Sequence, residues 1–258
     1  ADQCVTVLKS FQESLLGIRI DGLSVFATAS LRNVCNTEDI LHTIARRTGI
    51  KVEILSGQEE AILDFIGATH SVGMKNGLLI DIGGGSTELT AFSERTISCA
   101  ESISMGSLSL YTNYVEELLP TAAEQKAIRR AVWKKLETVK PLAGSQFTDI
   151  CGVGGTIRAV QKMNRHVGGH SDGFSVKELR ALLAKMQKPD KGTLRMILKA
   201  VPDRIHTLIP GMLILDTAAE YFKSERIQVS AFGVREGFLY ARVLGESIHM
   251  VSDKKKEG

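Results

Sequence analysis

The residues with the clearest chemical potential lie between Leu78 and Ala91, L-L-I-D-I-G-G-G-S-T-E-L-T-A. The apolar run from Leu78 to Ile82 carries one acid, Asp81. A carboxylate inside such a strand is costly unless it has a partner. Gly83, Gly84 and Gly85 follow, then Ser86 and Thr87, then a second strand-like run from Glu88. Glycines let backbone N–H groups approach a ligand closely. Amides and hydroxyls so arranged suit a phosphate, with a divalent cation beside the carboxylate. The loop is not G-x-x-x-x-G-K-[ST], and its glycines do not make G-x-G-x-x-G. The residues after it alternate and are rich in β-branched types, so the pattern is strand, glycine turn, strand. A plain hairpin turn explains less, because it needs neither a third glycine nor Asp81.

Other residues could complete such a site. Gly152 to Thr156 is a second glycine turn, here between a strand and a helix. Helix N-terminal amides bind anions, so Gly154, Gly155 and Thr156 can form an opposite wall. Thr28-Ala29-Ser30-Leu31-Arg32-Asn33 closes a strand with hydroxyls and a fixed charge. Arg32 could clamp a phosphate bidentately, or be a surface arginine. Glu59 and Glu60 are adjacent on a predicted helix. Glu59 stands three after Ser56, a capping-box position, which leaves Glu60 as the carboxylate not taken up by capping. Near a bound terminal phosphate it could take a proton from attacking water; alone it reads as a solvated helix acid. His166 and His170 sit in R-H-V-G-G-H, which breaks helical spacing and makes a poor zinc site.

Strands and helices alternate around these residues. Helices are expected over Val5–Leu16, from Asn36 to Arg47, from Ser56 to Thr69, from Thr121 to Lys140 and, after Thr156, through Arg165. Others are expected from Ser175, over Met212–Phe222 and over Gly233–Val243. Strands are expected at Leu23–Ala27, Lys51–Leu55, both arms of the hairpin, Phe147–Cys151 and Arg226–Ser230. The pattern is α/β. The 258 residues suggest two domains, or one large one, at about one per 150 residues, with a candidate boundary near Gly73 to Gly77. The division read is 1–76, 77–245 and a tail, 246–258.

Hydrophobic content of 43% is that of an ordinary globular chain. No apolar run reaches the ~18 residues of a membrane span, and no signal peptide is visible. The four scattered cysteines suggest reduced thiols and a cytoplasmic setting. Net charge is +3, but Lys177 to Arg204 holds eight Lys/Arg against three acids. Such a stripe could steer a polyanion, or be a solvated helix face.

These segments together resemble the exopolyphosphatase and guanosine pentaphosphate phosphohydrolase family, of the actin, sugar kinase and heat-shock chaperone superfamily. D-I-G-G-G-S-T-E-L at Asp81–Leu89 is similar to its second phosphate loop. A-T-A-S-L-R-N, V-E-I-L-S-G-Q-E-E-A, Met105-Gly106-Ser107, G-V-G-G-T and V-S-A-F-G-V-R-E-G resemble its other segments, in order. The resemblance implies two ribonuclease-H-like, actin-like ATPase domains around a central cleft. It implies release of terminal phosphate from polyphosphate or guanosine pentaphosphate with Mg2+ or another divalent cation. It makes Glu60 the water-activating base, Arg32 an arginine near the phosphate and Asp81 the metal-associated acid. Gly83 to Thr87 become the phosphate cradle, supported from behind by Glu88, Ser30 and Glu59. Ile62 stands where the family often has arginine.

The family's opening hairpin, of the type D-I-G-S-N-S, has no counterpart ahead of Val5, so the first domain is expected to lack its opening strands. A second reading is an actin-like module that binds a nucleotide or alarmone without turnover. No membrane and no specific nucleic-acid partner is expected, and a homodimer stays open.

Overall fold

The computed structural model describes residues 1–169 and 173–246. His170 and most of the expected tail lie outside the described residues. The chain forms two compact units, Ala1–Gly57 and Gln58–Gly258. The division falls at the first residue of the helix that carries Glu60.

In the first unit, α1 (Asp2–Leu15) packs on α3 (Thr37–Thr48) through Val5 and Ile44, both fully buried. Between them come β1 (Val25–Ala27) and the one-turn α2 (Ala29–Arg32). β1 runs parallel to β2 (Val52–Ile54), in the register Val25 to Val52. The expected strand at Leu23 starts two residues late. Gly49 ends α3 in the left-handed conformation at φ 72°, the role read for it. Asn36 is the N-cap residue, but its side chain makes no capping bond.

The second unit opens with α4 (Gly57–Thr69), followed by β3 (Gly77–Ile82), β4 (Thr87–Ser93), β5 (Thr96–Ile103) and α5 (Ser107–Tyr114). Then come α6 (Ala122–Leu136), β6 (Asp149–Val153), α7 (Gly154–His166), β7 (Phe174–Ser175) and α8 (Val176–Lys185). The last elements are α9 (Lys191–Ala200), α10 (Leu208–Tyr221), β8 (Arg226–Val229) and α11 (Val234–Phe238), which continues into a short π-helix, Leu239–Val243. The capping boxes expected at Thr121/Glu124 and Ser175/Glu178 form. The helix expected to reach Lys140 stops at Leu136, and a 3-10 turn, Lys140–Leu142, takes up the Pro141 segment.

Six strands form one sheet in the order β5-β4-β3-β6-β8-β7. β5, β4 and β3 are antiparallel; β3, β6 and β8 are parallel. Alternation along β3 sorts its side chains between two cores. Leu78, Ile80 and Ile82 face a large core built with α6, α7, α8 and α10. α10 is buried nearly all round, as an apolar central helix must be. Leu79 faces a smaller core with Ala61, Phe65 and Ala68 of α4 and Phe92 of β4. Phe65 and Phe92 pack with ring centroids 5.0 Å apart. Asp81 shares Leu79's side of the strand, and so points toward α4.

Candidate active site

The site grows from this alternation. The β3–β4 ladder pairs Asp81 with Glu88 and Ile82 with Thr87. Asp81 is also the register partner of Val153 at the end of β6. The glycine hairpin and the Gly154 turn therefore leave the same edge of the sheet, at the carboxyl ends of parallel strands. Ligands of open α/β sheets bind at such edges.

Gly83 N donates to Ser86 O at 3.0 Å and closes the loop. The Gly83 carbonyl accepts from the Ser107 amide (2.9 Å) and the Ser107 hydroxyl (3.0 Å). The Gly84 carbonyl accepts from the Leu108 and Ser109 amides at 3.0 and 2.9 Å. The N-terminus of α5 is thus engaged by loop carbonyls. Gly106 permits this contact, because a Cβ there would lie 2.4 Å from the Gly84 carbonyl carbon. Gly84 and Gly85 are exposed at the tip, and among the described residues their amides have no backbone acceptor. Ser86 and Thr87 are buried beneath, and the Thr87 hydroxyl donates to Met105 O at 2.7 Å.

Helix α4 covers the acidic side. Glu60, Ala61, Asp64, Phe65 and Ala68 follow a helical stripe and are all buried. The Thr90 hydroxyl donates to the Ala61 carbonyl at 3.1 Å and fixes α4 on β4. The apolar end of the stripe meets Leu79 and Phe92. The other end brings Glu60 and Asp64 over Asp81 and Glu88. Carboxylate oxygens of Asp64, Asp81 and Glu88 lie within 4.8 Å of one another. Among the described residues, no donor group reaches either Asp64 oxygen. Glu88 accepts from the Ser102 hydroxyl at 2.7 Å.

This packing sets the acidities. Burial, then the charge of Glu60, pushes Asp81 up to about 6, while Arg158 pulls the other way. Burial, again followed by Glu60, pushes Glu88 up to about 8. Asp64 is held well above the usual carboxylate range by burial and then by the charges of Asp81 and Glu88. Hard oxygen donors crowded in this way fit a divalent cation such as Mg2+ or Ca2+.

The second glycine turn borders the same acids. Gly154 has φ +88°, and a Cβ there would stand 2.0 Å from Asp81 Oδ1. Thr156 is buried. A Cβ on Gly155 would come within 2.4 Å of Arg204 Nη2, so this guanidinium lies over the start of α7.

Glu60, Asp81, Glu88, the hairpin and the Gly154 turn thus converge in the second unit. Glu59 turns outward and pairs with Arg242 at 3.1 Å. Arg32 and Ser30 belong to the first unit, where Arg32 Nη1 donates to Leu55 O at 2.9 Å and Ser30 is exposed. Two participants were missed from sequence. Asp64 carried a usable signal, an acid inside A-I-L-D-F-I-G-A one helical turn after Glu60. Arg204 carried none beyond its place in a basic stripe.

The profile of one family, Ppx/GppA phosphatase, matches residues 1–246. A Haemophilus influenzae protein provisionally named an exopolyphosphatase is 27% identical over 243 residues, covering 92% of this chain and 74% of its own. The crystal structure of an exopolyphosphatase from Cytophaga hutchinsonii superposes with a TM-score of 0.82 at 21% identity, over 96% of this chain and 83% of that one. The Aquifex aeolicus member of the family superposes with a TM-score of 0.77 at 21% identity, over 95% and 82%. The α/β fold is that of these proteins, and the chain belongs to the Ppx/GppA phosphatase family.

Proposed function

We propose that this chain releases terminal orthophosphate from inorganic polyphosphate, and from guanosine pentaphosphate by the same chemistry. The observation that supports this reading best is the buried face of α4. It sets Glu60 among Asp81 and Glu88, one strand turn from a loop with exposed glycine amides. The names of the relatives point to the same substrate class.

The loop amides of Gly84 and Gly85 hold the terminal phosphate, and the start of α7 with Arg204 adds positive potential. Arg32 is the first unit's candidate for a phosphate contact. Glu60 accepts a proton from the attacking water. General-base catalysis of this kind contributes about 10²–10⁴-fold. Asp81 and Glu88 would hold a divalent cation, Mg2+ in the ordinary case, and the close approach of their carboxylate oxygens to that of Asp64 fits one. When bound, the cation would neutralise phosphate charge and polarise the bridging bond. Ser102 orients Glu88 through its hydroxyl.

The test is phosphate release from long-chain polyphosphate and from guanosine pentaphosphate, side by side, with and without Mg2+. Cation-dependent release from at least one is expected. Absence of release from both, with the chain folded, would favour a binding module without turnover.

A further inference from the structure

Asp64 is not explained by the chemistry above. Its side chain is fully buried, and neither oxygen receives a hydrogen bond from any described residue. An isolated carboxylate in that position is strongly unfavourable unless it is neutralised. Packing does not call for it either, since its neighbours along the stripe, Ala61, Phe65 and Ala68, are all apolar core residues. An aliphatic side chain would satisfy that environment with no buried polar atoms.

The position points elsewhere. Asp64 lies one helical turn beyond Glu60, so both occupy the same side of α4. That side faces the Asp81–Glu88 pair, and all three carboxylates offer an oxygen within 4.8 Å of the others. Two oxygens bound to opposite sides of a hard divalent cation stand roughly 4.0–5.2 Å apart, for bond lengths of about 2.0–2.6 Å. The three groups therefore span a distance that one cation bridges without rearranging the backbone. They also come from two elements, a helix and a hairpin, so they surround the space between α4 and the sheet.

We propose that Asp64 is a third protein ligand of the divalent-cation site formed by Asp81 and Glu88. This rests on the reading of Asp81 as a cation ligand. Its consequence is that the cation ties α4, and Glu60 with it, to the phosphate hairpin. Cation binding then assembles the base as well as the electrophile.

The competing account is a neutral Asp64 that shares a proton with Asp81 and serves only the fold. Asp64→Asn separates the two, because the amide keeps the shape and can donate to Asp81. Mn2+ affinity of the substrate-free protein, followed by electron paramagnetic resonance, gives a readout independent of turnover. Asp64→Asn is expected to weaken Mn2+ binding at least ~10-fold, the scale on which even outer partners of a metal site act. It should also shrink the Mn2+-induced rise in Tm. Asp81→Asn, measured in parallel, should lose binding as well. Wild-type affinity in Asp64→Asn with loss in Asp81→Asn overturns this inference alone. Wild-type affinity in both variants overturns the assignment of Asp81, and with it the cation site of the proposed function. Asp64→Ser, too small to overpack, carries the same comparison if the amide variant does not fold.

Discussion

Asp81 and Glu88 are register partners across the β3–β4 ladder, so their carboxyl groups rise from the same face of one hairpin. Partners in an antiparallel ladder have Cβ atoms about 4.5–5.5 Å apart, and like charges so placed are destabilising. The pair lies under α4, where burial first and the charge of Glu60 second raise both groups. Asp81 is pushed to about 6 and Glu88 to about 8.

The first prediction follows from the sign of those shifts. Both groups bind protons more tightly in the folded chain than in the unfolded one. Their contribution is complete below the unfolded values and is lost as pH climbs through the folded ones. In EDTA, Tm should fall between roughly pH 4.5 and 8. A divalent cation competes with those protons, so Mg2+ or Mn2+ should flatten the slope and raise Tm most at the alkaline end. Thermal unfolding at several pH values with and without cation measures this. A Tm that does not change over this range in EDTA would contradict the acidic cluster's role.

Glu60→Gln should reduce turnover by about 10²–10⁴-fold and leave substrate affinity nearly unchanged, since it removes the proton acceptor and keeps the shape of the side chain. Glu59→Gln loses an exposed pairing with Arg242 outside the acidic cluster, so turnover should stay near wild type. Steady-state kinetics and equilibrium binding of the two variants give the comparison. The reverse pattern would exchange the roles of these neighbours.

Gly84→Ala should leave Tm unchanged, because a Cβ there meets nothing nearer than Leu108 Cβ at 3.6 Å. Gly84→Val should keep the fold but raise KM for phosphate chains by filling space at the loop tip. Gly154→Ala should instead unfold more easily, as its φ is +88° and its Cβ would strike Asp81. Normal kinetics in Gly84→Val would make the hairpin a turn and nothing more.

Lys188, Lys191, Arg195 and Lys199 are exposed in and just before α9. Replacing all four with Gln should lower affinity for long polyphosphate more than for short chains, and reduce its salt dependence. Binding isotherms for two chain lengths at two salt concentrations decide the point. Equal losses at both lengths would mark these charges as a solvated helix face.

Much of the second unit was readable from local pattern. The hairpin declared itself through an acid, three glycines and alternation, and Thr121/Glu124 and Ser175/Glu178 declared helix starts through side chains that must meet backbone amides. Helix α5 was not foreseen, because S-L-S-L-Y-T-N-Y has weak helix formers and is held by the Gly83 and Gly84 carbonyls. Helix α9 was hidden in a basic stripe, although Asp190 caps it by accepting from Thr193 N at 2.8 Å. Glu60 read alone as a solvated acid, since its burial depends on α4 lying on β4. Arg204 reaches Gly155 only through the tertiary fold, and no spacing in the chain announces it.

The grip of α5 on the loop carbonyls reaches beyond holding the turn in place. A trans peptide unit sets its N–H opposite its C=O. Pinning the Gly83 and Gly84 oxygens against α5 therefore aims the Gly84 and Gly85 hydrogens away from that helix, before any anion arrives. The dipoles are oriented during folding, so an arriving anion would meet a field already in place, with no loop left to order.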